Sequence, residues 1–99
     1  MAAPTKLAEA EVAARLAKLP GWTIEGGKLH RVFVFRDFVE AWSFMSGAAL
    51  AAEAIGHHPE WSNVWNRVNV DLTTHDAGGL TALDFDLAAR MQALAARLA

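Results

Sequence analysis

The sequence predicts an α+β fold in which helices cover one face of a four-stranded antiparallel sheet, in the order α-β-β-α-β-β-α. Three observations lead to this fold. Two segments alternate apolar and polar residues around a turn signal, which is typical of β-hairpins. Segments with apolar residues at helical spacing precede, separate and follow the two hairpins. Hairpins separated by a helix favour an antiparallel sheet with the helices packed on one of its faces.

The N-terminal third of the chain encodes a helix and a hairpin. Residues 8–18 are rich in alanine and carry apolar side chains at helical spacing, and the Pro-Gly pair at 20–21 stops the helix. Residues 22–25 and 29–35 alternate in polarity, and the two glycines at 26–27 between them form a turn signal. We expect these segments to pair as antiparallel strands.

The second helix has clear start and stop signals and an unusual composition. Asp37 and Glu40 have the spacing of a capping box, and the helix is expected to run to Ile55 with Gly56 as its stop. Between positions 41 and 55 the only charged residue is Glu53. A helix that is apolar on nearly all sides must be covered on both faces. The sheet can cover one face only, so we expect a homodimer or homotetramer that forms through this helix.

The C-terminal half encodes the second hairpin and the last helix. Residues 61–65 form a short strand, 66–67 a tight turn, and 68–73 a half-buried strand with strict alternation. The two glycines at 78–79 mark a loop, and Thr81 is placed to cap a final amphipathic helix.

Composition limits the classes of protein to which the chain can belong. Its 99 residues predict one domain, 1–99, and 54% hydrophobic with 20% charged residues argue against disorder. A net charge of −2 gives no electrostatic basis for nucleic-acid binding. The chain has no cysteine, so it contains no disulfide or thiolate ligand. The first residues contain no apolar segment of the kind that a signal peptide needs, and no apolar run approaches the ~20 residues that span a membrane. These features favour a soluble cytoplasmic protein.

A cluster of titratable residues carries the functional signal. Three of the four histidines, His57, His58 and His75, lie near Glu53 and Asp84 in sequence. Imidazole is the side chain that titrates closest to neutral pH, which suits it for proton transfer. Taken alone, each residue has an ordinary structural explanation: a histidine at a strand end is often partly exposed, and an aspartate in the first turn of a helix is favoured by the helix dipole.

The arrangement of the set is harder to explain by packing alone. Glu53 and His57 are four positions apart, so they can share a face where the helix ends. Pro59 restricts His58 to extended conformations, so the adjacent imidazoles must diverge and can flank a ligand. The strand that ends before His75 can bring a third imidazole to the same end of the sheet. The set therefore predicts acid–base catalysis, and His30, inside a strand, is assigned to structure.

At these residues the sequence resembles the pterin-4a-carbinolamine dehydratase family, whose motif is an acidic residue, His-His-Pro, an aromatic residue, a further histidine and a later aspartate. Those elements fall at Glu53, His57-His58-Pro59, Trp65, His75 and Asp84. The resemblance is strong over about residues 35–87 and covers the flanks by pattern only. It implies the same α+β fold. Gly56 stands where animal relatives often carry aspartate, so any contact from that side chain is missing here.

The resemblance implies dehydration of a 4a-hydroxytetrahydropterin to the quinonoid dihydropterin, without a metal or other cofactor, in the recycling of the cofactor of aromatic amino acid hydroxylases. It implies His57 and His75 as general acids, and His58 as the residue that holds the pterin and accepts or relays a proton. Glu53 would bind the amide-like edge of the pterin or orient a histidine, and Asp84 would orient one. The expected substrate-binding set is Glu53, Gly56, Pro59, Trp61, Trp65, Thr73, Thr74, Asp76 and Asp84.

Two alternatives stay open on the sequence. The three histidines with Glu53 are legitimate zinc ligands, although adjacent histidines rarely converge on one ion. The chain could instead be a protein-binding module. Members of the family act as dimerisation partners of a transcription factor in animals, and relatives assist assembly of a carboxylating enzyme in some bacteria. The apolar second helix would then be the binding surface.

Overall fold

The structure is a computed structural model that describes residues 4–98. It confirms the predicted α+β fold and the order of its elements. The elements are α1 (Glu9–Leu16), β1 (Thr23–Glu25), β2 (Lys28–Val34), α2 (Phe38–Ile55), β3 (Glu60–Val64), β4 (Arg67–Leu72), a short 3₁₀ helix (His75–Ala77) and α3 (Ala82–Leu98). In this part of the chain, no helix combines the length and the hydropathy that crossing a membrane requires.

The sheet has the strand order β1-β2-β4-β3, and all neighbouring strands are antiparallel. The central strands β2 and β4 present Leu29, Phe33, Val68 and Val70 to the helices, where these side chains are buried. The alternate residues lie on the opposite face, which no helix of the described chain covers. Because β3 begins opposite the end of β4, with Glu60 across from Asp71, the segments that precede β3 and follow β4 lie at the same edge of the sheet.

The second helix packs on one side only. Ala41, Ala48 and Ala52 are fully or almost fully buried, and their small side chains let α2 approach the core closely. The ring of Phe44 lies 4.6 Å from that of Phe33, centroid to centroid, and thereby ties α2 to β2. The other side of α2 is exposed and apolar, as its composition predicted. Its large exposed side chains are Phe38, Val39, Trp42 and Leu50.

The turn of the second hairpin, like the two strands that it joins, lies one residue earlier than the sequence predicted. It consists of Trp65 and Asn66 rather than residues 66–67, and Arg67 is the first residue of β4. Trp65 adopts a left-handed backbone with φ of 49°. The Asn66 side-chain amide donates to the Phe35 carbonyl at 2.9 Å, and the Phe35 N–H donates to the Asn66 carbonyl at 2.8 Å. These bonds fix the turn against the end of β2.

Candidate active site

The end of α2 directs the histidine pair into the site. Gly56 has φ of 65°, a left-handed conformation that glycine adopts without steric cost. The His57 N–H donates to the Ala52 carbonyl at 3.0 Å, and the Gly56 N–H donates to the Glu53 carbonyl at 3.2 Å, which is the pattern of a Schellman cap. The cap ends the helix and turns the chain, so His57 and His58 leave the helix before β3 begins.

The end of β4 supplies the second wall. Thr74 and Gly79 form an isolated antiparallel bridge, in which the Thr74 N–H donates to the Gly79 carbonyl at 3.2 Å. The bridge closes a tight loop that contains the short 3₁₀ helix and begins with His75. This helix was not predicted from the sequence. It holds the His75 side chain out at the sheet edge, where the chain from α2 passes.

These two segments enclose a cleft of ≈ 270 Å³. Its lining residues are Gly56, His57, His58, Thr73, Thr74, His75 and Asp76. The structure therefore brings all three predicted catalytic histidines and four of the predicted substrate-binding residues to one place. Four larger cavities, of ≈ 310 to ≈ 640 Å³, lie elsewhere on residues 4–98, but none of these four is lined by a histidine. We locate the site by its chemistry rather than by its size.

Each histidine of the cleft has its own carboxylate partner. The His57 Nε2 atom lies 2.6 Å from the Asp84 Oδ1 atom, and the His58 Nε2 atom lies 2.8 Å from the Glu53 Oε1 atom. The third pair consists of His75 Nε2 and Glu60 Oε2, also at 2.8 Å. A carboxylate beside an imidazole fixes its orientation and stabilises the imidazolium form. The cleft therefore offers three oriented groups that can give or take a proton.

The pairs differ in burial. The His57 side chain is 11% exposed and Asp84 is fully buried, whereas the His58 and His75 pairs are largely exposed. The expected pairing of Glu53 with His57 on a shared helix face is not observed. The left-handed Gly56 turns His57 away from the helix axis. As a result, Glu53 pairs with His58, and Asp84, which is distant in sequence, pairs with His57.

Asp84 is held by the start of α3. Its Oδ2 atom accepts hydrogen bonds from the Thr74 hydroxyl at 2.8 Å and from the Thr81 N–H at 2.9 Å. The Thr81 hydroxyl lies 2.8 Å from that of Thr74 and accepts from the Leu83 N–H at 3.3 Å, so Thr81 caps the helix as expected. With both of these bonds on Oδ2, we assign the proton of the third bond to His57 Nε2. This tautomer leaves His57 Nδ1 as the nitrogen available to a ligand.

The remaining predicted residues lie outside the lining of the cleft. Pro59 is half-buried between His58 and β3. Trp61 is half-buried against the hydrophobic core, opposite Val70 in the strand register. Trp65 is exposed in the turn at the far end of the β3–β4 hairpin. In the single chain, neither tryptophan forms a wall of the cleft.

Two residues that sequence reasoning did not assign to the site are part of its polar network. Lys28 of β2 donates to Glu60 Oε1 at 2.5 Å, while Glu60 Oε2 faces His75. The hydrogen bond from Lys28, followed by that from His75, lowers the pKa of Glu60 below its ordinary value. The same bond to Glu60 raises the pKa of Lys28. Glu60 directly follows the His-His-Pro run, so its position in the sequence could have assigned it to the site. Lys28 is 32 positions away from Glu60, and nothing in the local sequence links it to the site.

Comparisons with known proteins agree on one family. Residues 5–94 match the family model described as "Pterin 4 alpha carbinolamine dehydratase". A relative from Solibacter usitatus, with the name "Putative pterin-4-alpha-carbinolamine dehydratase", is 59% identical over 93% of this chain and 97% of its own length. A relative of the same name from Sinorhizobium fredii is 52% identical over 96% of this chain and 93% of its own length.

A solved structure gives the same result. The crystal structure of a transcriptional coactivator/pterin dehydratase from Brucella melitensis has a TM-score of 0.89 to this chain and is 45% identical in sequence. The match covers 92% of this chain and 99% of that one. The similarity therefore extends over nearly the whole chain.

Proposed function

This chain belongs to the pterin 4 alpha carbinolamine dehydratase family, and we propose that it converts a 4a-hydroxytetrahydropterin to the quinonoid dihydropterin and water in the three-histidine cleft. The observation that carries the proposal is the set of three imidazoles around one cleft, each with a carboxylate on its Nε2 atom. The physiological role that follows is recycling of a tetrahydropterin cofactor.

The reaction needs one acid and one base. The lone pair of N5 forms the C4a=N5 bond while the C4a–O bond breaks, and an acid protonates the departing oxygen, which leaves as water. A base then takes one proton from the resulting cation to give the neutral quinonoid product. The sum is the loss of one water, with no net oxidation or reduction. Each positioned acid or base contributes about 10²–10⁴-fold.

We assign the acid role to His57 and His75. Asp84 accepts the hydrogen bond of His57 Nε2, so His57 acts as the acid in its imidazolium form, in which Nδ1 also carries a proton and donates it to the departing oxygen. His75 approaches from the opposite wall, on the loop closed by Thr74 and Gly79. His58, oriented by Glu53, holds the pterin and accepts or relays the proton shed by the cation.

The experiment that tests this assignment is stopped-flow dehydration of a chemically generated 4a-hydroxytetrahydropterin. The unaltered protein should accelerate the reaction, and His57→Ala and His75→Ala should lose about 100-fold or more of that acceleration. His30→Gln is the matched control, because His30 lies on β2 outside the cleft and pairs with Asp71 instead. If the unaltered protein gives no acceleration over the spontaneous reaction, the proposed function is wrong.

We also propose that the chain forms a homo-oligomer through the exposed side of α2. The support is the group of large apolar side chains on that side, since contiguous exposed apolar surface is typical of protein interfaces. The same surface favours a second candidate function, the binding of another protein. A partner held there would be lost from Leu50→Glu protein in a pull-down, while the dehydratase activity of the cleft would remain.

A further inference from the structure

Glu60 occupies a position that the sheet itself disfavours. It lies directly opposite Asp71 in the β3–β4 register, on the face of the sheet that the described helices leave uncovered. Two carboxylates directly opposite each other on one sheet face repel. The cost is offset because hydrogen-bond donors meet each acid: Lys28 and His75 contact Glu60, and His30 contacts Asp71. The position of the Glu60 carboxylate therefore needs an explanation, and a contribution to folding stability is the first one to consider.

Folding stability does not supply that explanation. Glu60, Lys28 and His75 are all substantially exposed, and exposed ion pairs contribute little to stability because water and salt screen them. The geometry is nevertheless specific. Lys28, which reaches across from β2, binds one carboxylate oxygen of Glu60 and leaves the other for His75. Of the other charged groups on this face, Glu25 and Asp71 lie near His30, and Arg67 lies at the opposite end of β4.

His75 depends on this contact for its orientation. Its side chain is 74% exposed, so packing restricts it little, in contrast to the 11% exposed His57. Glu60 is the one side chain that bonds to the His75 ring within residues 4–98. We propose that Glu60, anchored by Lys28, is the positioning residue of His75: it holds the imidazole at the cleft through Nε2 and leaves Nδ1 for the ligand.

The inference rests on the proposed function for its catalytic meaning, so the test has one arm that needs no catalysis. Carboxyl ¹³C NMR titration of Glu60 should show its pKa rising toward the ordinary value in both Lys28→Met and His75→Ala, because each variant removes a group that lowers it. If the Glu60 pKa does not move in His75→Ala, the contact does not form in solution and the proposal is overturned, whatever the enzyme does.

The second arm is a double-mutant cycle in the stopped-flow assay. Glu60→Gln should lower kcat about tenfold with little change in KM, because residues that orient a functional histidine typically affect activity to this extent. In a His75→Ala background the same substitution should have no further effect, since its influence passes through that ring. Glu60→Asp, which keeps the charge, should restore part of the rate.

Glu25→Gln serves as the matched control, because it removes a carboxylate from the same sheet face without a contact to His75. It should leave kcat unchanged. Equal losses from Glu60→Gln in the wild-type and His75→Ala backgrounds would overturn the positioning role while leaving the dehydratase assignment intact. Absence of any acceleration by the unaltered protein would refute the dehydratase assignment instead, and the NMR arm would then decide the inference alone.

Discussion

The Nε2 atom of His57 lies 2.6 Å from the Oδ1 atom of Asp84, a carboxylate that is fully buried at the start of α3. Charge-assisted hydrogen bonds are the strong ones, and a buried one fixes both groups. Asp84 also caps its own helix by accepting from the Thr81 N–H. The same carboxylate therefore stabilises the start of α3 and orients His57, one of the proposed acids.

Asp84→Asn should disturb both roles of this side chain. The amide can still accept from the Thr81 N–H, but its NH₂ group then faces His57 Nε2 and forces the other tautomer. We expect kcat to fall about 100-fold and the free energy of unfolding to fall by about 1–3 kcal/mol. Asp86→Asn, on the exposed side of the same helix, is the control and should change neither. Full activity in Asp84→Asn would contradict the assigned tautomer.

Thr74→Val should weaken the support of Asp84. Valine has the shape of threonine without the hydroxyl, so Asp84 Oδ2 loses one of its two donors and the Thr81 hydroxyl loses its neighbour. We expect a loss of about 1–2 kcal/mol in the free energy of unfolding, measured by urea denaturation, together with a lower kcat. Thr74→Ser retains the hydroxyl and should recover most of the activity. If serine and valine behave alike, the hydroxyl has no role.

The ion pair of Lys28 and Glu60 should contribute to stability over a defined pH range. The pKa of Glu60 is lowered from 4.5 on folding, so its contribution is complete above that pH and is lost as the pH falls through the folded value. The pKa of Lys28 is raised from 10.5, so its contribution is complete below that pH and is lost as the pH rises through the folded value.

The difference in unfolding free energy between the wild type and Lys28→Met should therefore be largest between about pH 4.5 and 10.5. It should shrink as the pH falls below 4.5 and through the folded pKa of Glu60. The plateau itself should be small, because the pair is exposed. Urea denaturation at pH 3 and pH 7 measures both values, with Lys18→Met as a control for the loss of a lysine near α1. A difference that grows on acidification would have the wrong sign.

The sequence predicted the elements of the fold well because their signals are local. Asp37 caps the start of α2 by accepting a hydrogen bond from the Glu40 N–H three residues later. Gly56 ends the helix by adopting a left-handed conformation. The turn of the second hairpin failed for the opposite reason. Asn66 is fixed there by Phe35, which lies 31 positions away and leaves no trace in the local pattern.

The same distinction applies to the site. The His-His-Pro run pointed to two of the three histidines of the cleft, but their carboxylate partners depend on how the chain turns. The sequence spacing favoured a pair of Glu53 with His57, but because Gly56 is left-handed, Glu53 pairs with His58 instead. The true partner of His57 lies 27 positions away, on a helix whose approach only the packed sheet determines.

Leu50→Glu tests the oligomer. Leu50 is 75% exposed in the single chain, so a charge there should leave the unfolding free energy of the protomer nearly unchanged. In an interface formed by α2, the same charge would be buried without a partner, and the assembly should dissociate to monomers. Light scattering over a range of concentrations measures the mass, with Ala14→Glu on α1 as the control. A wild-type protein that is monomeric at all concentrations would overturn the proposal.

Gly56 offers a test of how the end of α2 controls the cleft. A β-carbon at this position would meet no other atom within 4 Å, so any cost of substitution comes from the backbone alone. At φ of 65°, alanine should destabilise the protein by about 1 kcal/mol. Asparagine tolerates the left-handed conformation and should cost less.

Because the same turn directs His57 and His58 into the cleft, Gly56→Ala should also lower kcat more than Gly56→Asn does. Equal unfolding free energies for glycine, asparagine and alanine would show that the left-handed turn is not retained in solution, and the stated route of the histidine pair into the cleft would then be wrong.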